Sequence, residues 1–186
     1  MKILVFTASP NTDGLTAACG GSACKGAKKA GADVELINLN QINIQLCQAC
    51  GRGYGSCWSE HVCSLEDDFS IYHQKILQVD GFVLISPVYW GEMSESAKAF
   101  FDRIRRCEGT KWEKSGLKDK RAVGIAAAGG SGRGTISCLF SMQQLFAHLR
   151  LEEFDLISIT QKTRTYKLRT IYDCLYEAVS WKENDG

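Results

Sequence analysis

The chain has 186 residues, 45% hydrophobic and 23% charged, which suffices for one sizeable core and not for two, so a single domain over residues 1–186 is expected. Its 22 lysines and arginines face 21 acids, a formal charge of +1, which leaves no excess field to hold nucleic acid or an anionic membrane and favours a small partner. Met1-Lys2 and the brief run Ile3 to Phe6 fall short of a signal-peptide core, no later run would span a bilayer, and nine cysteines in a chain of this size point to reduced thiols in the cytoplasm.

Short β-branched or apolar runs alternate with longer periodic segments along the chain. Strands are predicted at Ile3 to Thr7, Asp33 to Leu39, Gly81 to Ser86, Arg121 to Ala127 and Phe154 to Thr160. The first helix runs from about Gly14 to Ala30. The second places Phe69, Tyr72 and Ile76 on one stripe, and the third places Ala97, Phe100, Phe101 and Ile104 behind Ser94 as N-cap. Ile136, Leu139, Phe140, Phe146 and Leu149 mark the fourth, Leu168, Ile171, Tyr172 and Leu175 the fifth, and a polar tail from about Lys182 is expected to fray. Right-handed crossovers then predict an α/β three-layer sandwich. Its five-stranded parallel sheet would have the flavodoxin-like order 2-1-3-4-5, with helices on both faces.

In such a sheet a ligand sits beyond the carboxyl ends of the strands, where the connections after strands 1, 3 and 4 converge. The first, Ala8 to Ala18, offers the hydroxyls of Ser9, Thr12 and Thr16 and a glycine where a helix begins, a ready phosphate site without the lysine of a P-loop. An ordinary capped turn explains the same residues. The second, Ser86 to Glu95, sets Tyr89 and Trp90 between Pro87 and Gly91, where a flat ligand would find exposed amides and a stiff turn; packing under the sheet rim is the alternative. The third, Ala126 to Gly134, has glycines at 129, 130, 132 and 134, not the dinucleotide spacing, and suits a planar ligand lying on bare backbone.

Three such loops together are what a flavin mononucleotide needs. Through SPVYWGEMSESAKAFFDR at Ser86 to Arg103, the chain resembles the NADPH-dependent FMN reductase and iron–sulfur flavoprotein group of the flavodoxin-like superfamily. Its first loop is similar to that group's phosphate loop, with Asn11 in place of a basic residue and Ala8 in place of glycine, and its third loop to the group's glycine turn. The resemblance implies an FMN phosphate held by Ser9, Asn11, Gly14, Leu15 and Thr16. It implies a flavin ring resting on Pro87, Val88, Tyr89, Trp90 and Gly91 and bordered by Ala128, Gly129 and Gly130. NAD(P)H would be the cosubstrate, a quinone, flavin or metal ion the second acceptor, and a homodimer or homotetramer the assembly. No catalytic side chain is needed, because a flavin takes hydride at its own N5 while the protein binds, orients and tunes it.

A cysteine-rich insertion at about residues 40–65 carries Cys47, Cys50, Cys57 and Cys63 among Gly51, Gly53 and Gly55. Four thiols this close invite a metal. A [4Fe–4S] cluster takes four thiolates, and the iron–sulfur flavoproteins that the chain resembles carry a cysteine group in this connection, with tighter spacing between their second and third ligands. Zinc, with His61 replacing a cysteine, and unligated or redox-paired thiols stay open. Cys19, Cys24, Cys107, Cys138 and Cys174 read as small buried residues, His73 as a hydrogen-bonded core histidine, and His148 as surface or interface. Lys98 to Arg121 holds nine basic residues and four acids, which reads first as a solvated face and second as an attraction for a phosphate-bearing cosubstrate. Besides the enzyme, two other classes fit: a carrier shuttling electrons between proteins, and a scaffold whose cysteine loop binds zinc.

Overall fold

The structure, a computed structural model, describes residues 1–181, so the tail predicted from Lys182 lies outside the described residues. The elements run β1 (Lys2–Thr7), α1 (Leu15–Lys29), β2 (Asp33–Asn38), α2 (Ser56–Ser59), α3 (Phe69–Leu77), β3 (Gly81–Tyr89), β4 (Glu92–Met93), α4 (Glu95–Glu108), β5 (Arg121–Ala128), α5 (Thr135–Leu149), β6 (Glu152–Thr160) and α6 (Arg164–Ser180). The parallel sheet has the order β2-β1-β3-β5-β6, which is the predicted order once β4 is set aside. That two-residue strand was not predicted. It turns back on the end of β3 in an antiparallel pair, Val88 opposite Met93 and Tyr89 opposite Glu92.

Alternation along the strands feeds two cores, one on each face of the sheet. Leu4, Phe6, Phe82 and Leu84 point to α3, α4 and α5 and meet Phe69, Phe100, Phe101, Ile104 and Phe146. Phe6 lies within 6.1 Å of the rings of Phe82, Phe100 and Phe101 in tilted and edge-to-face contacts, the arrangement that aromatic quadrupoles favour. Ile3, Val5, Val83 and Ile85 point the other way, to Cys19 and Ala23 of α1 and Ile171 and Leu175 of α6. Small residues on α1 let α6 come close: Ser22 Oγ donates to the Leu168 carbonyl at 2.6 Å, and a Cβ at Gly26 would lie 2.1 Å from the Tyr172 carbonyl.

Helix 4 starts as predicted, with Ser94 Oγ accepting from the Ala97 N–H. The stripe predicted for α5 needs correction. Leu139, Phe146 and Leu149 are buried, but Ile136 and Phe140 are 74% and 59% exposed, one turn apart on the outer face. Pure periodicity misassigned them because α5 is apolar on more of its circumference than the sheet can cover.

Candidate functional site

Beyond the carboxyl ends of β1, β3 and β5 the three predicted loops meet. Ser94 Oγ donates to the Ala8 carbonyl at 2.7 Å while the Ser94 N–H donates to Ser86 Oγ at 2.9 Å, so one serine ties the first loop to the second. Ser137 Oγ donates to the Gly91 carbonyl at 2.9 Å and joins the second to the third. Gly134, at φ 80°, lies so close to Gly91 that a Cβ there would sit 2.8 Å from its Cα. Only glycine fits that contact and that dihedral.

In the first loop Ser9 and Thr16 are buried, 8% and 4% exposed, and Asn38 Nδ2 donates to the Ser9 carbonyl. Asn11 shapes the loop: its N–H donates to Ser9 Oγ and its Oδ1 accepts from the Asp13 N–H, both at 3.2 Å. The Leu15 side chain is in the core, so this residue offers the site only its N–H. No side chain caps α1 at Gly14, and its first turn holds no acid. Its leading N–H groups therefore stay available at the positive end of the helix dipole, which fits a phosphate.

The second loop differs from the expected proline-stiffened turn. Pro87, Val88 and Tyr89 belong to β3, where Pro87 pairs with Ala127 of β5 after β1 has ended at Thr7 opposite Ile85, so its missing N–H breaks no ladder bond to β1. The turn itself is Trp90-Gly91, at φ 54° and 85°, the signature of a two-residue type I′ hairpin. A bulky residue in the left-handed region is strained, and strain of this kind gathers at functional positions. Neither ring packs under the rim: Tyr89 is 39% exposed and Trp90 fully exposed. In the third loop Ala128 closes β5, and a Cβ at Gly129 or Gly130 would meet nothing within 4 Å. The edge therefore combines an uncapped helix end, an exposed aromatic hairpin and bare backbone. That donor set and relief fit a phosphate joined to a flat ring.

Cys47, Cys50, Cys57 and Cys63 all line one small cavity, with Arg103 and Arg106 of α4 as its wall. The chain wraps this cavity in left-handed conformations at Ala49, Gly51, Arg52 and Gly53, two of them non-glycine positions where such backbone costs energy. Each thiol is half-buried, and all nine cysteines of the chain are free. Burial pushes the Cys57 thiol up; Arg106 opposes the shift, and the neighbouring Cys63 and Cys47 add to it. Four thiols around a cationic wall suit an anionic polynuclear cluster. Among the described residues, no three His, Cys, Asp or Glu side chains are grouped so as to hold one metal ion. His61 is not on the cavity; its Nδ1 is 3.2 Å from Thr110 Oγ1. The cavity also sits apart from the sheet edge. From Glu95 to Arg103 is roughly 12 Å along α4 at 1.5 Å per residue, so the cysteines flank the middle of that helix and not its start.

Arg103 was not singled out from sequence, where it read as one charge of a solvated face. It is 1% exposed. Its Nη2 donates to Asp67 Oδ1 at 2.9 Å and its Nη1 to Asp67 Oδ2 and to the Gln45 carbonyl, clamping both ends of the cysteine insertion to α4. Burial works against its charge, but Asp67 and the adjacent Cys63 over-compensate and hold its pKa above the usual arginine value. Burial would likewise raise the Asp67 carboxyl, yet the bonds from Arg103, Gln45 and Phe69 outweigh it and hold the pKa low. Arg103 Nε is buried without a partner among the described residues.

The strand order and the edge just described define a member of the flavodoxin-like class. The chain belongs to the NADPH-dependent FMN reductase family, whose sequence profile matches residues 1–155. It is 30% identical over 132 residues to an iron–sulfur flavoprotein of Methanosarcina thermophila, a match that spans 69% of this chain and 64%, just under two thirds, of that protein. Among solved structures it is similar to an NAD(P)H:quinone oxidoreductase from Methanothermobacter marburgensis, with TM-score 0.75 and 18% identity over 100% of this chain and 99% of that one. A WrbA-like flavodoxin from Agrobacterium tumefaciens gives TM-score 0.63 at 14% identity over 96% and 94% of the two chains. At such identities both likenesses speak for the fold alone. Among the described residues, no helix is long and apolar enough to cross a membrane.

Proposed function

We propose that the chain is an FMN-dependent oxidoreductase that takes electrons from NAD(P)H and passes them to a second acceptor, with a [4Fe–4S] cluster held by Cys47, Cys50, Cys57 and Cys63. The carrying observation is the meeting, at one sheet edge, of the uncapped first turn of α1, the Pro87 to Gly91 hairpin and the open backbone at Gly129 and Gly130. When bound, FMN supplies a ring nitrogen that accepts hydride from a nicotinamide and a reduced state from which electrons leave singly or in pairs. Ser9, Asn11, Gly14, Leu15 and Thr16 would hold its phosphate, chiefly through N–H groups, with no lysine or arginine in the loop. Pro87, Val88, Tyr89, Trp90 and Gly91 would support the ring. Ala128, Gly129 and Gly130 would border it and aim backbone donors at the edge where negative charge gathers on reduction.

Nine free thiols support a reducing compartment such as the cytoplasm. Ile136 and Phe140, exposed on α5 beside the Gly91 turn, support assembly into a homodimer or homotetramer. The visible spectrum of anaerobically purified protein, followed by mass identification of the released chromophore and assays for iron and sulfide, tests the reading. FMN, iron and rapid bleaching by NADPH or NADH are expected. Colourless protein that takes up no FMN overturns the redox assignment, unchanged iron content in Cys50→Ser overturns the cluster, and reduction only by a protein donor makes the chain a carrier.

A further inference from the structure

A second cavity lies on the outer side of the cysteine loop, between that loop, the end of α4 and the 3₁₀ turn Gly109–Lys114. Three guanidinium groups line it, those of Arg52, Arg105 and Arg106, together with the rings of Tyr54, Trp58 and Trp112. Among the described residues none of the three arginines is paired with a carboxylate. Arg106 Nη1 donates to the Gly53 carbonyl at 3.1 Å, and toward the described residues Arg52 and Arg105 make no side-chain hydrogen bond. Among the described residues, no acid lines the cavity. Arg52 and Arg105, with Arg106 shared with the thiol cavity, make this hollow cationic, an attraction for an anion.

The rings state the other half of the requirement. Tyr54 and Trp58 meet edge to face at 5.4 Å, and Trp112 is held at φ 52° with the Arg150 guanidinium 4.8 Å from its ring centre. All three are more than half exposed, at 70%, 53% and 65%, so each offers apolar ring surface to solvent. A flat conjugated molecule would cover indole and phenol faces, and a carboxylate or sulfonate on it would meet the forked donors of the arginines. The hollow is also a neighbour of the thiol cavity: Gly53, Cys57 and Arg106 line both.

We propose that this cavity binds a planar aromatic anion, and that a quinone carrying a carboxylate or sulfonate takes its electrons here. The binding assignment stands by itself; the electron-exit assignment rests on the redox function proposed above. In that reaction the nicotinamide gives up hydride and is oxidised, a second proton comes from water, and the quinone gains two electrons and two protons to become the hydroquinone. Cys57 is the one thiol that lines both cavities.

Calorimetric titration of the anaerobically purified full chain tests the proposal, with anthraquinone-2-sulfonate and its uncharged 2-hydroxymethyl analogue as probes. One sulfonate per chain is expected to bind about tenfold more tightly than the uncharged compound, with an affinity that falls as salt is added. The Arg52→Gln/Arg105→Gln double variant is expected to lose about tenfold in sulfonate affinity and nothing for the uncharged probe, with its FMN content and circular dichroism unchanged. Trp112→Ala is expected to weaken both probes. Absence of binding, equal affinity for the two probes, or an unaltered double variant overturns the assignment, as does sedimentation showing this face closed between two copies or by an acidic protein. Electron exit is read from anaerobic reduction of the sulfonate by NAD(P)H, with a rate about tenfold lower in the double variant; equal rates overturn it. Protein without flavin that still binds the sulfonate means failure of the redox function alone. Protein with flavin and iron that ignores the sulfonate means failure of the cavity assignment alone.

Discussion

Glu108 is fully buried and surrounded by donors: His73 Nε2 at 2.8 Å, Lys111 Nζ at 2.6 Å and Ser115 Oγ at 3.0 Å. Burial alone would raise its pKa, but these bonds and the Lys111 charge outweigh it and bring the value from 4.5 down to about 2. A carboxyl depressed on folding stabilises the native state above its unfolded pKa, and that contribution is lost as pH falls from 4.5 to about 2. Glu108→Gln is therefore expected to be less stable than the parent at neutral pH and to lose less on acidification through that window, measured as urea midpoints. Asp67→Asn keeps the shape of the clamp but leaves Arg103 a buried charge without its partner, so a loss of about 3–5 kcal/mol is expected from urea unfolding at pH 7. His73 was legible as a core histidine because it falls on the apolar stripe of α3. The Arg103–Asp67 pair was not, because 36 residues separate its members and an arginine inside a basic run looks like any solvated charge. Of the five scattered cysteines, Cys19, Cys107 and Cys138 are buried as read and Cys24 and Cys174 only half-buried; burial pushes Cys19, Cys107, Cys138 and Cys174 up to about 12 and raises Cys24.

At the level of the elements, strands and helices followed from alternation and periodicity, and Ser94 announced α4 by its hydroxyl. The β3–β4 hairpin escaped notice. Its turn is Trp90-Gly91 where Asn-Gly is the usual signal, and its return strand is two residues long, lying across from Val88 and Tyr89 and held by the burial of Met93 and by Ser141 Oγ donating to Glu92 Oε2 at 2.8 Å. A glycine following Trp90, with apolar residues at Val88 and Met93, was the one local hint. The close approach of α5's N-terminus to this hairpin makes Gly134 the sensitive position. Gly134→Ala is expected to cost more than 1 kcal/mol in thermal or urea unfolding, since the new Cβ would both strain φ 80° and press on Gly91. The same variant should weaken FMN uptake by displacing the hairpin. Conversely, a cysteine loop wound through left-handed Ala49 and Arg52 has no sequence signal beyond its glycines, because the strain at those residues is carried by contacts made far along the chain.

For the molecule as a whole, a ligand that binds only the folded state stabilises it by mass action, by about 2.7 kcal/mol at a hundredfold excess over Kd. In a chain of this length that corresponds to a rise in Tm of about 5–10 °C, to be read by calorimetry with and without FMN. Ser9→Ala/Thr16→Ala should reduce the rise, and no rise at all would mean that this edge holds no flavin phosphate. The amino-acid sequence by itself determined the alternation of strands and helices and the three loops, because these rest on local propensity and on the period of buried residues along one segment, and the strand order followed from them only through the right-handed crossover rule. Only the tertiary structure decided that Ser94 joins the first loop to the second, that a buried arginine clamps the cysteine insertion to α4, and that Arg52, Trp58, Arg105 and Trp112 face a common hollow. Those arrangements depend on side chains brought together across tens of residues, and the free energy that selects them comes from packing and desolvation, which no single stretch of chain contains.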